Sequence, residues 1–302
     1  TIRAYAGDKL GGGEATARER QLRWYVGVAE SSGVDQHGAE ADAWNERLAP
    51  LAADFYVALE RSTSTPPLLK DGARVVEALW WFFERTQPRE GWNLLDDLIR
   101  HLEERGLGVD HPLVYWQGSL YATANGDFDR AVTLAQVGLS AADARGEPRN
   151  VSWLLQTMSI ARMEAGDPEP AERLLQRAIA IAREHDLRET LSNCTTILGE
   201  LARERGDAAT AAAHYREALA ILPLAERSSM LAAWPLHNLG QALLQTGDLA
   251  GASAALRKAL KMRTTYDFLL AGSCLSGLGG LAVAEGAGCG AALLMGASTA
   301  IL

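Results

Sequence analysis

Apolar residues recur along most of this 302-residue chain at the spacing of one helical face, in segments paired across short polar breaks. Over residues 14–30 the stripe is Leu22, Tyr25, Val26 and Ala29. After a polar break at Ser31 to Gly38, Trp44, Leu48, Leu51, Phe55 and Leu59 predict a second helix over residues 39–61. Ser62-Thr63-Ser64-Thr65-Pro66-Pro67 reads as a linker marking entry to a new run of helices rather than as a free hinge. Helices are predicted next over residues 69–85 and 89–104, in an irregular unit with no Gly-Asp pair at Thr86 but with Gly91 at an equivalent small position. Gly106-Leu107-Gly108 and Asp110-His111-Pro112 then stop one helix and start another.

From there one helix-turn-helix pattern is written five times. Gly126, Gly166, Gly206, Gly247 and Gly286 fall 40, 40, 41 and 39 residues apart. Five residues after each comes Ala131, Ala171, Ala211, Ala252 or Ala291. Seven residues before each glycine stands Ser119, Ser159, Gly199, Gly240 or Gly279, and seven after each alanine Gly138, Ala178, Ala218, Ala259 or Ser298. Four small positions at fixed offsets predict a stacked array instead of one globular centre. Antiparallel helices approach closely only where side chains are small, so these positions mark helix crossings. Each glycine is expected to end the first helix in the left-handed conformation, while Asp127, Asp167, Asp207 and Asp248 cap the second. Pro168 fits the first position of such a helix. Pro235, by contrast, falls inside a long first helix and predicts a kink or a break there.

Leu198-Gly199, Gly206-Asp207, Ala211, Tyr215, Ala218 and Pro223 together resemble a tetratricopeptide repeat, stretched from about 34 residues to about 40. More specifically, the chain resembles the helical-repeat arm of bacterial signal-transduction ATPases with numerous domains, which include AfsR-like and LuxR-type multidomain transcriptional regulators. Three further stretches carry that likeness: Thr1-Ile2-Arg3-Ala4-Tyr5-Ala6, Ala78-Leu79-Trp80-Trp81-Phe82 and Leu293-Leu294-Met295-Gly296-Ala297. The resemblance implies an all-α, right-handed superhelical solenoid of antiparallel helix pairs. In that reading residues 1–13 are the tail of an upstream winged-helix-like module and 14–65 an N-terminal helical pair. Residues 66–302 form the array, with the irregular repeat at about 68–106 and five repeats at about 111–302.

Charge narrows the field of partners. With 38 Asp+Glu against 29 Lys+Arg the chain carries a net charge of −9, which argues against direct, phosphate-driven binding of nucleic acid. The opening residues lack the apolar core of a secretory signal, so a cytoplasmic protein is expected. Cys194, Cys274 and Cys289 are odd in number and have no ligand-like spacing; the first two occupy core positions of their repeats. Between Phe268 and Leu302 only Glu285 is charged. That stretch keeps the repeat spacing and is rich in glycine, so a final helix pair is favoured over a membrane hairpin. Its apolar face calls for a cover, either chain beyond Leu302 or self-association with a second copy.

Catalytic chemistry is not written in the motifs. There is no Gly-x-x-x-x-Gly-Lys-Ser/Thr, and Gly277-Leu278-Gly279-Gly280-Leu281-Ala282 reads as helix packing, with no strand before it. The six histidines form no metal motif, and Asp96-Asp97 and Glu103-Glu104 read as solvated faces. Arg257, Lys258, Lys261 and Arg263 suit the end of a helix. Trp80, Trp81, Phe82, Phe83 and Trp92 read as the core of the irregular repeat. Neither a cofactor nor a metal is expected in this segment, and no enzyme activity.

In tetratricopeptide arrays the first helix of each repeat lines the inner curve. Counting six and three residues before the small position, then one and four after it, collects Trp116, Trp153, Gln156, Met163, Asn193, Thr196, Glu200, Arg203, Trp234, His237 and Gln241. Such a groove can stack on flat groups and hydrogen-bond a peptide or small molecule. The resemblance implies a noncatalytic sensor and protein-interaction arm, coupling a partner or inducer in the groove to an upstream ATPase module of the parent chain. A small-molecule inducer receptor and a free-standing tetratricopeptide adaptor are the alternatives.

Overall fold

The computed structural model describes residues 13–32, 47–86, 88–223, 230–262 and 268–301. Among them fourteen α-helices follow one another and no strand occurs. They are α1 (Glu14–Ser32), α2 (Ala52–Ser64), α3 (Leu69–Thr86), α4 (Pro88–Glu104), α5 (Pro112–Ala124), α6 (Phe128–Arg145) and α7 (Pro148–Glu164). After these come α8 (Pro168–Glu184), α9 (Arg188–Glu204), α10 (Ala208–Ile221), α11 (Ala233–Thr246), α12 (Leu249–Met262), α13 (Phe268–Ala284) and α14 (Gly288–Ile301). Thr1 to Ala6, Trp44 and Arg263 lie outside the described residues, as do the side chains of Trp80, Trp81, Phe82 and Phe83.

The five predicted reversals are all present. Gly126, Gly166, Gly206, Gly247 and Gly286 have φ between 76° and 84°. That conformation lets the next amide close back on the helix just ended: Asp127 N–H donates to the Ala122 carbonyl, and Asp207 N–H to that of Ala202, each at 2.9 Å. Asp127 and Asp207 cap α6 and α10, accepting from the amides of Arg130 and Thr210 at 3.1 and 2.9 Å. Asp167 departs from the expectation. Its carboxylate makes no cap bond to α8, which opens with Pro168, and instead accepts from the Arg162 guanidinium at 3.4 Å. A second set of left-handed residues joins successive repeats: Gly106 and Gly146, at φ 65° and 64°, and then Asp186 at φ 49°.

Small residues lie where the helices cross. Ser119 and Ser159 donate to the carbonyls of Ala131 and Ala171, at 2.8 and 2.9 Å, pinning the first helix to the second. At Gly199 the pinning group is replaced by contact, since a Cβ there would lie 2.5 Å from the buried Tyr215 ring. Pro235 differs from expectation, because α11 begins at Ala233 after a 3-10 turn over Met230–Ala232. The proline therefore stands in the first turn, where its missing N–H costs no helix bond, and no long kinked helix is needed.

Burial is spread along the axis. One apolar cluster runs from Leu22 to Leu134, the next from Trp116 to Leu201, and a third from Ala202 to Leu281. The first cluster crosses the predicted linker, with Leu68 and Leu69 buried just after it, so packing is continuous from α1 into the repeats. Moreover, α1 lies chiefly against α3 and only lightly against α2. At the other end α14 leaves Leu293 76% and Met295 44% exposed. No described helix is long and apolar enough to cross a membrane.

Candidate groove on the first helices

Each second helix packs on the first helix of the next repeat, and each first helix also touches the next first helix: α5 on α7, α7 on α9, α9 on α11 and α11 on α13. No two second helices come into comparable contact among the described residues. First helices that approach one another more closely than second helices lie on the inner side of the curve, so their free face is the wall of a groove.

Three rows of partly or fully exposed side chains run across that wall. Near the helix N-termini stand Trp153 on α7, Asn193 on α9 and Trp234 on α11. Two turns further along come Ile160, Glu200 and Gln241, and one turn beyond these Glu164, Glu204 and Gln245. Trp153, Asn193, Glu200, Arg203, Trp234 and Gln241 are thus where the periodicity expects them, at least partly open to solvent.

Trp116, Gln156, Thr196 and His237 are not open. They are 9, 7, 6 and 7% exposed, and Met163 is 6% exposed. The first four hold the same position of their repeats, on the side of each helix turned toward a neighbouring first helix. His237 Nδ1 accordingly lies 3.6 Å from Cys274 Sγ of α13, and the Trp116 ring stacks on Trp153 of α7 with centroids 5.1 Å apart. The last two acids of the groove wall, Glu164 and Glu204, fall outside the register counted from the small residue. Asn238 falls outside it too, although its amide donates to Glu200 Oε1 at 2.8 Å. Continuing the count by one more helical turn from Ile160 and Glu200 reaches both acids.

Burial governs the charges here. It pushes the Glu200 carboxyl up to about 6; the Asn238 bond and Arg203 oppose this, while Glu204 and Glu164 add to it. Glu204 is raised as well, by burial and then by Glu164. Burial and then Arg203 push His237 down to about 4, which keeps it neutral at pH 7. The thiol of buried Cys194 rises to about 12, so it is a packing residue. Among the described residues no three His, Cys, Asp or Glu side chains come together as a metal site. The wall therefore offers rings, amides and carboxylates, a set suited to stacking, hydrogen bonding and ion pairing.

A family model described as tetratricopeptide repeat matches residues 190–265, the span of α9 to α12. The fold is a solenoid of tetratricopeptide-like repeats. Solved tetratricopeptide-like structures follow it over most of its length. NprR in complex with its cognate peptide NprX is 12% identical, with a TM-score of 0.60, covering 88% of this chain and 84% of that one. A Rap protein complexed with Competence and Sporulation Factor is also 12% identical, with a TM-score of 0.57 and coverage of 96 and 98%. A signal-transduction ATPase with numerous domains, carrying a tetratricopeptide repeat sensor, from Pyrococcus horikoshii is 13% identical with a TM-score of 0.51. That match covers 85% of this chain but 43% of the other protein. At such identities the likeness is one of fold alone. Among curated proteins none matches this chain.

Proposed function

We propose that this solenoid is the noncatalytic sensor arm of a multidomain regulator of the AfsR-like or LuxR-type kind, and that it takes a peptide or an extended protein segment into its groove. The observation that carries this reading is the row Trp153, Asn193 and Trp234, one residue from each of three successive first helices, all at least partly open on the same wall. Rings and an amide repeated at the spacing of stacked helices suit an extended ligand, which presents side chains and backbone amides along its length. The complexes of NprR with its cognate peptide and of Rap with Competence and Sporulation Factor, which share the fold, support it. The sensor of the Pyrococcus horikoshii ATPase supports the link to a nucleotide-hydrolysing module outside this chain.

The binding half of the proposal is tested by selecting from a displayed heptapeptide library on the immobilised chain. Enriched peptides should quench tryptophan fluorescence; Asn193→Ala should weaken them by about tenfold or more with thermal unfolding little changed, and Trp153→Ala should weaken them at a temperature where the variant, which also loses its stacking on Trp116, is still fully folded. Peptides that bind both variants as well as the parent overturn the groove assignment. The regulatory half is tested in the full-length regulator, where a selected peptide should alter ATP hydrolysis and Trp153→Ala should abolish the response. Unaltered hydrolysis overturns the coupling.

A further inference from the structure

The groove wall is chemically lopsided. Along α9, Asn193 lies toward the N-terminus, Glu200 is seven residues further and Glu204 four beyond that, which places the acids about 10 and 16 Å from the amide row. On α7 the same order runs from Trp153 to Glu164, again eleven residues on. Thus one edge of the groove is aromatic and amide-rich, while the opposite edge carries Glu164 and Glu204 on α7 and α9 and an amide, Gln245, on α11, with Arg203 close to the acids of α9.

Those acids are held in unfavourable positions. Glu164 and Glu204 are the last residues of α7 and α9, at the negative ends of the helix dipoles, where a cation is the favourable choice. They also act on each other as like charges, and Glu200 is carried into the wall beside them. None of the three makes an ion pair with a described residue. Glu200 takes only the neutral Asn238 amide, and Arg203, although near enough to act on Glu200 and Glu204, bridges neither. On the same array the carboxylates of Glu147, Asp167 and Glu172, away from the wall, are each bridged by an arginine.

We propose that the groove selects a cationic peptide, with a lysine, arginine or free amino terminus against Glu164, Glu200 and Glu204, an aromatic side chain against the Trp153 and Trp234 edge, and its backbone crossing the wall between them. This rests on the groove reading and gives it a ligand class. A cation would relieve the repulsion between Glu164 and Glu204 and meet the dipole ends of two helices at once. An acidic peptide would add to both costs, so the wall discriminates by repulsion as well as by attraction.

The test uses three hexapeptides of one frame, Lys-Gly-Phe-Phe-Gly-Lys and its forms with both lysines replaced by glutamine or by glutamate, titrated calorimetrically into the chain. The lysine form should bind about tenfold tighter than the glutamine form, and the glutamate form weakest of all. In the Glu164→Gln/Glu204→Gln protein that preference should fall to less than about threefold, and salt raised from about 50 to about 300 mM should reduce it in the parent. Equal affinity for the lysine and glutamine forms, or tightest binding of the glutamate form, overturns the charge assignment while leaving the groove intact if Trp153→Ala still weakens binding. Binding of every form that ignores Trp153→Ala, or no binding of any form, overturns the groove reading together with this one.

Discussion

Helix α9 has two faces under opposite rules. On one, Gly199 rests against the buried ring of Tyr215, Cys194 is fully buried, and Ser192 donates to the Ala218 carbonyl at 3.0 Å. On the other, Asn193, Glu200 and Glu204 face the groove, with a half-buried carboxyl pushed up to about 6. The first face is optimised for packing and the second is electrostatically strained. A residue that stabilises the array and a residue that serves a ligand should therefore respond to substitution in opposite directions, although only a turn or less of helix separates them.

The largest effect is expected on the packed face. Gly199→Ala places a methyl group 2.5 Å from a ring that has no free side to move to, so overpacking should cost about 1 to 3 kcal/mol in chemical denaturation. A variant as stable as the parent would mean that the crossing of α9 and α10 is looser than the contact with Tyr215 indicates.

On the groove face the sign reverses. Glu200 is raised from an ordinary 4.5 to about 6, chiefly by burial, with Asn238, Arg203, Glu204, Glu164 and Tyr215 around it. Below pH 4.5 the carboxyl is neutral in folded and unfolded chains alike, and it costs nothing. As the pH rises from 4.5 through 6 the unfolded chain gives up its proton first, so stability falls across that window and stays lower above it, by about 2 kcal/mol. Glu200→Gln should therefore raise stability at pH 7.5 by up to about 2 kcal/mol and make little difference near pH 4. It should weaken a cationic peptide at the same time. Loss of stability at pH 7.5 would show that the carboxylate is a structural partner of Asn238 rather than a strained acid.

The two faces also differ in how far the sequence reveals them. Ser119, Ser159, Gly199 and Gly240 recur because every repeat solves the same crossing problem, and repetition is visible in a single chain. The reversals at Gly126 and its counterparts are legible for the same reason. Groove residues follow the repeat only in position: Trp153, Asn193 and Trp234 share a place on the wall, but two rings and an amide fill it rather than one residue type. Their row can be counted from the small residue, yet the count cannot tell that the position of Gln156, Thr196 and His237 is closed by the neighbouring helix. The separation between first helices decides this, and it is a property of stacking that no single repeat encodes. Glu164 and Glu204 escape because charged residues at helix ends read as ordinary surface until both ends are seen on one wall.

Capping gives a smaller contrast within the packed class. Asp127 caps α6 through the Arg130 amide, whereas Asp167 makes no cap bond to α8. Asp127→Ala should cost about 1 kcal/mol and Asp167→Ala clearly less, as measured by denaturation of each variant. Equal losses would show that the two aspartates act through helix dipoles alone.

The smallest expected effect concerns the turns between repeats. Gly106 and Gly146 take left-handed φ without strain, and the next such turn places Asp186 at φ 49°. Its exposed carboxylate accepts from Arg188 Nε at 3.2 Å, an exposed pair of little worth. An L side chain in this conformation carries a steric cost that glycine lacks, though glycine also gains freedom in the unfolded chain. Asp186→Gly should accordingly stabilise the array by about 0.5 kcal/mol, a rise of a degree or so in the thermal midpoint of a chain this long. Because Asp186 lies at the joint between α8 and α9, the gain should come without any change in peptide affinity, whereas the gain from Glu200→Gln should come with a loss. If Asp186→Gly weakened binding as well, the angle between repeats, and not the groove side chains alone, would set the fit of the ligand.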